Sequence, residues 1–544
     1  MNSNDFSQAP SAPSDSLRSF LVLWLCLFAV IIARTAWKAI PSDNEIQYLS
    51  IVRRAVEPDW LARDFALGPP ATYHHTYIEI GRRISLLTSV YTFAVIYRAF
   101  NVALFTLGFA ALCHVMGLNR VDTLLAFLIY AGVTVFPVFR LAGYGVLLPT
   151  AEPDPTAWGC ALIGYALAVK GRWYASAVML GVTTGFHLLV GLQLSPPILI
   201  ASFLSLSRRP RGLRSALFAW GLWLLPASIA LIPQANILMR DPFSVESSHA
   251  YFVRAAHHLD AARFTIPLLT SVGVLSLGLA LRRVRSENER QINDLPIVLA
   301  LSFIGAYWAV GVVFRYLHLY GPLKFYPFRT WPMVLIITIL HGVRALRSRD
   351  RCQGVSTRSE RVFETPWVQV VFVLCSVASI ATFCLTHLDV RNVAAMLVKS
   401  SATSSPPPVR LYDWIRANTS RDSVFLTPPE FWWGDFFWKS DRATIFHGKV
   451  FPVTSSGLVE WLRRKEMMDT LFERTSSEQG FEEGLARAVV DLNPDYVICP
   501  KGRVSAEWVS SGSLLYDAGY QGVDYDVFAR ASSTSRGSAP SKPH

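Results

Sequence analysis

Long apolar runs in series constrain this chain more than any other feature. A helix needs about 20 mostly apolar residues to cross a hydrocarbon core roughly 30 Å thick, and a soluble domain has no use for repeated runs of that kind. Such runs recur near residues 19–37, 98–116, 121–138, 156–169, 173–190, 192–206, 215–232, 264–281, 295–313, 328–345 and 366–387. They are continuous rather than alternating, which excludes a membrane β-barrel. The sequence therefore predicts a polytopic α-helical membrane protein with about eleven transmembrane helices. Two of the runs, 156–169 and 192–206, are short, and the second holds Pro196-Pro197, which allows a bent or partly re-entrant helix.

The formal net charge of +12 would by itself suit a nucleic-acid partner. The positions of the cations argue against one. With the N-terminus cytoplasmic, the short inside loops carry Arg120, then Lys170 and Arg172, then Arg208, Arg209, Arg211 and Arg214. They continue with Arg282, Arg283, Arg285 and Arg290, and end with Arg344, Arg347, Arg349, Arg351, Arg358 and Arg361. Basic residues in short loops mark the cytoplasmic side, so these clusters read as topology determinants and no nucleic acid is expected. The 7 cysteines form no CxxC pair and mostly lie in or beside apolar runs, where Cys is a small apolar filler.

The segments follow from this topology. Residues 1–18 are a disordered cytoplasmic N-terminus, 19–388 a transmembrane domain whose first outward loop is 38–97, and 389–409 a linker containing "KSSATSSPPPV". Residues 410–530 form an extracytoplasmic α/β domain, and 531–544 a disordered tail. Within the α/β domain, helices at "VRLYDWIRANTS", "GLVEWLRRKEMM" and "FEEGLARAVVDL" alternate with strands at "SVFLTPP", "ATIFHGK", "DYVICP" and "YDVFAR". That alternation predicts a small, mostly parallel sheet.

The outward segments gather polar residues. Asp43, Glu45 and Asp64 follow the first run; Arg140, Tyr144, Glu152 and Asp154 lie in "FRLAGYGVLLPTAEPDPTA"; Arg315, His318, Lys324 and Arg329 lie in "FRYLHLYGPLKFYPFRT". His187 sits at the outer end of its run. Cations and acids beside an apolar slab suit a phosphate-linked lipid: Arg and Lys hold phosphate oxygens, and carboxylates serve as base or metal ligand. Each cation alone is more often an interfacial anchor. "SDNE" fits a capping box, with Ser42 capping and Glu45 at N3, ahead of Ile46, Leu49, Val52 and Val56 at helical spacing. That accounts for Glu45 and adequately for Asp43. The aromatic stretch "EFWWGDFFWKSDRATIFHGKVFP" offers Trp432, Trp433 and Lys449 as a sugar-binding surface, against a plainer role in packing at the membrane interface.

An acid shortly after span one, on the first outward loop of a many-span chain, resembles the membrane-embedded glycosyltransferases of the GT-C type. The matching residues are Asp43, with Glu45 as a second acid and Asp64 as a further match. The resemblance implies a GT-C-like membrane domain over roughly 19–388, a polyprenyl-phosphate sugar donor, and a glycan, lipid or protein acceptor. It implies that an acid of the first outward loop, Asp43 foremost, acts as general base with inversion, and that in some members such an acid binds a divalent cation. It implies an integral protein of the bacterial inner (cell) membrane, in contact with membrane lipid. Arg140, Tyr144, Glu152, His187, Arg315, His318, Lys324, Arg329, Trp432, Trp433 and Lys449 are the candidate substrate-binding residues. The chain departs from the oligosaccharyltransferases in lacking their WWD motif; "WWGD" is not that motif. Two other functions compete: a non-catalytic membrane scaffold, and a lipid flippase or transporter. After the first run no charged residue lies near the centre of a predicted helix, which weighs against ion-coupled transport.

Overall fold

The computed structural model describes residues 13–35, 39–42, 44–68, 73–134, 136–143, 150–207, 212–281, 294–349, 407–432, 436–452, 454–474, 478–505, 516–521 and 524–530. The run at 366–387, most of the linker, residues 1–12 and the tail 531–544 lie outside the described residues, while residues 13–18 of the expected disordered N-terminus belong to a helix. In chain order the helices begin with α1 (Pro13–Thr35), α2 (Glu45–Val56), α3 (His75–Leu87), α4 (Val90–Val115) and α5 (Arg120–Val133). They continue with α6 (Pro153–Val169), α7 (Trp173–Phe186), α8 (Leu188–Leu206), α9 (Gly212–Arg240), α10 (Val245–Arg254) and α11 (Ala256–Leu259). Then come α12 (Thr265–Leu281), α13 (Leu295–Tyr316), α14 (Tyr320–Leu323), α15 (Trp331–Arg349), α16 (Pro407–Asn418), α17 (Phe436–Ser440), α18 (Ser455–Asp469) and α19 (Glu478–Leu492).

Among the described residues 5 helical stretches are long and apolar enough to cross a membrane: α4, α8, α9, Ala261–Leu281 and α13. α8 runs unbroken through Pro196 and Pro197 as one 19-residue helix. The chain divides into two compact units, one of residues 1–38, 95–232 and 256–389, the other of residues 39–94, 233–255 and 390–544.

The first unit is a helical assembly whose core runs through Phe109, Tyr130, Trp158, Leu194, Trp308 and Trp331. Small residues let its helices approach. A Cβ on Gly108 would meet the Gly159 carbonyl oxygen at 2.6 Å, and one on Gly181 would meet the Trp223 carbonyl oxygen at 2.3 Å. Helices in lipid gain little from apolar burial against one another, so close backbone packing of this kind supplies much of their association. At the head of α6, Asn101 Nδ2 donates to the carbonyls of Thr150 (2.7 Å) and Glu152 (2.9 Å). Its amide oxygen accepts from Thr156, whose hydroxyl also meets Tyr97 Oη at 2.7 Å. This buried network fixes where α6 starts.

The second unit contains a five-stranded sheet of order β2-β1-β3-β5-β4, with β1 at Val424–Leu426, β2 at Ala443–Thr444, β3 at Tyr496–Pro500, β4 at Tyr516–Gln521 and β5 at Tyr525–Arg530. β1 pairs with β2 and β3 in parallel, whereas β5 runs antiparallel to both β3 and β4. The sheet is mixed rather than mostly parallel. The reason lies in β4, which carries Gly and Asp and escaped the sequence reading. Only residues 522–524 separate it from β5, and so short a connection returns a strand antiparallel. Residues that follow α1 share this unit's core: Ile46, Trp60, Leu61 and Leu67 pack in one cluster with Phe425, Phe437, Trp461 and Ile498.

Candidate functional site

In the first unit, three elements converge on one carboxylate. Asp154 occupies the first turn of α6, just after Pro153, whose fixed φ suits a helix start. Glu152 is the extended N-cap residue and is buried. His187 is the single residue between α7 and α8 and is 3% exposed. Its Nδ1 accepts the Val190 amide at 3.5 Å, which leaves the ring proton on Nε2, 3.7 Å from Asp154 Oδ1. Arg329 comes from the 3₁₀ turn Pro327–Thr330 ahead of α15, and its Nη2 lies 3.4 Å from the same oxygen. That oxygen is buried and accepts no hydrogen bond. A charge-assisted N–H···O⁻ bond normally closes to about 2.7–2.9 Å. The Asp154 pairs, at 3.7 and 3.4 Å, are longer than that.

The turn that carries Arg329 is held from below. Tyr326 takes a left-handed backbone (φ 51°), and its carbonyl accepts Gln193 Nε2 at 3.0 Å. The Arg329 guanidinium carbon lies 5.5 Å from the Tyr326 ring centroid. Lys324, half-buried in the same connection, has its ammonium pushed down to about 7 by burial. The remaining candidates of this unit have other engagements. Arg315 forks onto Asp260, with Nε to Oδ1 at 2.7 Å and Nη2 to Oδ2 at 3.5 Å. His318 is exposed in a left-handed turn and meets Tyr320 Oη at 3.0 Å. Arg140 is exposed and donates from Nε to the Thr134 carbonyl. Tyr144 lies outside the described residues.

In the second unit, the three candidate acids of residues 38–97 divide. Asp43 lies outside the described residues. Glu45 is fully buried and opens α2; its Oε2 accepts the Ser42 amide at 2.8 Å and the Ser42 hydroxyl at 3.2 Å. This is the returning half of a capping box, with α2 beginning at Glu45 rather than immediately after Ser42. Asp64 is 2% exposed and accepts three backbone amides: Ala66 and Leu67 on Oδ1 at 2.9 Å each, and Thr444 on Oδ2 at 3.0 Å. Burial pushes its carboxyl up while those amides pull it down, and burial prevails. The loop is tied further by Arg53 and Trp60, which both donate to Asp441 Oδ1, at 2.8 and 3.0 Å.

The aromatic stretch is interior. Phe431, Trp432, Phe436 and Phe437 are all buried, and the Trp432 indole donates to the Thr427 carbonyl at 2.8 Å. Trp432 is therefore committed to the core, its ring edge-on to Phe446. Trp433 lies outside the described residues. The Lys449 carbonyl accepts Arg254 Nη2 at 2.8 Å. Among the described residues no group of three or more His, Cys, Asp or Glu side chains is placed to hold a metal ion.

A family model described as a domain of unknown function (DUF6798) matches residues 408–468. No curated protein matches the chain. Among solved structures, the chain is similar to ArnT from Cupriavidus metallidurans bound to undecaprenyl phosphate, at 13% identity and TM-score 0.44, over 96% of this chain and 99% of that one. It is similar to the archaeal oligosaccharyltransferase AglB from Archaeoglobus fulgidus, in complex with an inhibitory peptide and a dolichol-phosphate. That likeness has 12% identity and TM-score 0.42, over 88% of this chain and 69% of that one. A further likeness is to the Archaeoglobus fulgidus oligosaccharyltransferase in complex with Zn and sulfate, at 11% identity and TM-score 0.44, over 93% of this chain and 73% of that one. These likenesses are distant, and no residue's role follows from them.

Proposed function

We propose that this protein is a membrane glycosyltransferase that moves a sugar from a polyprenyl-phosphate donor to an acceptor at the outer membrane face. The observation that carries the reading is the buried cluster of Asp154, His187 and Arg329 at the head of α6, with the half-buried Lys324 in the same connection as Arg329. A guanidinium fork and an ammonium suit the phosphate of the lipid, and they stabilise the charge it gains on departure. The acceptor oxygen or nitrogen attacks the anomeric carbon, and the bond from that carbon to the phosphate oxygen breaks. The polyprenyl phosphate leaves with the electron pair, the anomeric centre inverts, and the acceptor proton passes to a carboxylate. Asp43 is the base in this reading, as the GT-C resemblance implies, while Glu45 and Asp64 accept structural hydrogen bonds. In this reading the membrane domain has about eleven spans, the N-terminus is cytoplasmic and the α/β region is extracytoplasmic.

The test is Asp43→Asn in the purified full chain, reconstituted with a polyprenyl-phosphate sugar and a hydroxyl acceptor. Loss of a general base lowers the rate by about 10²-fold or more, with folding and membrane insertion unchanged. Wild-type activity in that variant removes Asp43 from the mechanism. A second reading, a non-catalytic scaffold, is favoured by the structural engagement of both Glu45 and Asp64. A wild-type chain that binds polyprenyl phosphate yet moves no sugar is its mark.

A further inference from the structure

The connection between α6 and α7 lies at the opposite end of α6 from Asp154. A groove of ≈ 390 Å³ opens there, lined by Gly171, Arg172, Trp173, Tyr174, Leu206 and Ser215. It brings together the start of α7, the end of α8 and the start of α9. Since α8 and α9 are both long and apolar enough to span, their junction lies at a membrane boundary.

Three observations describe what fits the groove. Its charge is of one sign: Arg172 lines it, Lys170 and Arg214 flank its walls in the chain, and no acidic residue occurs between Asp154 and Asp241. Its rim turns at Gly171, whose φ of +70° suits glycine and which has nothing within 4 Å of the place a Cβ would occupy. Its outer lip continues into an apolar face. Tyr174 is 41% exposed and stands edge-on to Phe218 at 5.6 Å, and Leu213, Leu217 and Phe218 are each more than half exposed along α9. A charged head above a greasy, outward-facing strip matches an amphiphile that bears a negative headgroup.

We propose that this groove binds the headgroup of an anionic phospholipid from the leaflet on the basic side of the membrane, its phosphate on Arg172 and its acyl chains along α9. Interhelical basic pockets on that side, with aromatic rings at the interface, suit such lipids. The site is separate from the donor cluster and does not depend on the transferase reading.

The test uses the delipidated full chain in detergent, titrated with phosphatidylglycerol or phosphatidylcholine of the same acyl chains and followed by native mass spectrometry. Wild type is expected to bind phosphatidylglycerol about tenfold more tightly than phosphatidylcholine. Arg172→Gln abolishes that preference and Arg172→Lys keeps it, whereas Tyr174→Ala weakens both lipids alike. Arg329→Gln leaves the preference intact, because that residue belongs to the donor cluster. Equal binding of the two lipids, an unchanged preference in Arg172→Gln, or displacement by equimolar inorganic phosphate would each overturn the proposal. Thermal unfolding of every variant confirms that it is folded.

Discussion

The carboxylate of Asp64 accepts the backbone amide of Thr444 at 3.0 Å, across 380 residues of chain. Its other oxygen holds the amides of Ala66 and Leu67, so one side chain both shapes its own turn and docks β2 beside it. An acid of the segment between α1 and α4 is here an anchor for the sheet.

Asp64→Ala removes the acceptor of three amides. The expected loss of stability is roughly 2–4 kcal/mol, from buried donors left unsatisfied. Chemical unfolding of the full chain in detergent measures it, and the folded fraction keeps its transfer rate. Unchanged stability with lost transfer would make Asp64 a catalytic group.

Lys324 supplies a pH dependence. Burial holds its ammonium at about 7, below its ordinary 10.5, so the unliganded protein releases that proton near neutrality. A bound phosphate favours the charged form and raises the value again, so phosphate-lipid affinity should fall as pH rises above about 7. Lys324→Arg, charged throughout, should flatten the dependence relative to wild type, and the same lipid probe in both proteins cancels the titration of the phosphate itself. A wild-type profile identical to the Arg variant's would place Lys324 away from the phosphate.

His447 gives a separate acid response. Burial of the ring pushes it down to about 3 against an ordinary 6.5, although its Nδ1 donates to the Trp432 carbonyl at 3.3 Å and so pulls the value up; its buried Nε2 has no hydrogen-bond partner. Between those values the unfolded chain carries one more proton than the folded one. Stability is therefore complete above pH 6.5 and is lost as pH falls toward 3, at about 1.4 kcal/mol per pH unit. Denaturation midpoints across that range should show the slope in wild type and lack this proton's share of it in His447→Gln. An unchanged slope would mean that another group titrates.

Arg329 and Arg315 should part company. Arg329→Gln is expected to weaken polyprenyl-phosphate binding by about 10- to 100-fold, the worth of one or two hydrogen bonds to a charged group. Arg315 already forks onto Asp260, so Arg315→Gln should lower the melting temperature and leave binding within about twofold. Binding isotherms and melting curves on both variants separate a ligand contact from a structural pair.

Much of the helical frame is legible in the sequence because each spanning run announces itself by length and composition. The run at 295–313 is found as α13, and the one at 215–232 as the core of α9. The alternation of the C-terminal region reveals three parallel-paired strands and β5, but not β4, whose Tyr-Asp-Ala-Gly run lacks β-branched residues. Site residues are harder to read. Nothing in "PDPT" tells that Asp154 meets His187 and Arg329, since those contacts join helices far apart in the chain. Asp260 gives no sign that it will occupy Arg315, and an aromatic-rich stretch reads the same whether Trp432 faces a sugar or the core. Composition records which groups are present; tertiary pairing decides which of them are already engaged.

The most direct measurement is equilibrium binding of radiolabelled undecaprenyl phosphate to the purified full chain, wild type beside Arg329→Gln. Saturable binding by wild type, weakened at least about tenfold in the variant, is the predicted result. No saturable binding by wild type, or equal affinity in both proteins, would contradict the assignment of this cluster to a lipid-phosphate donor.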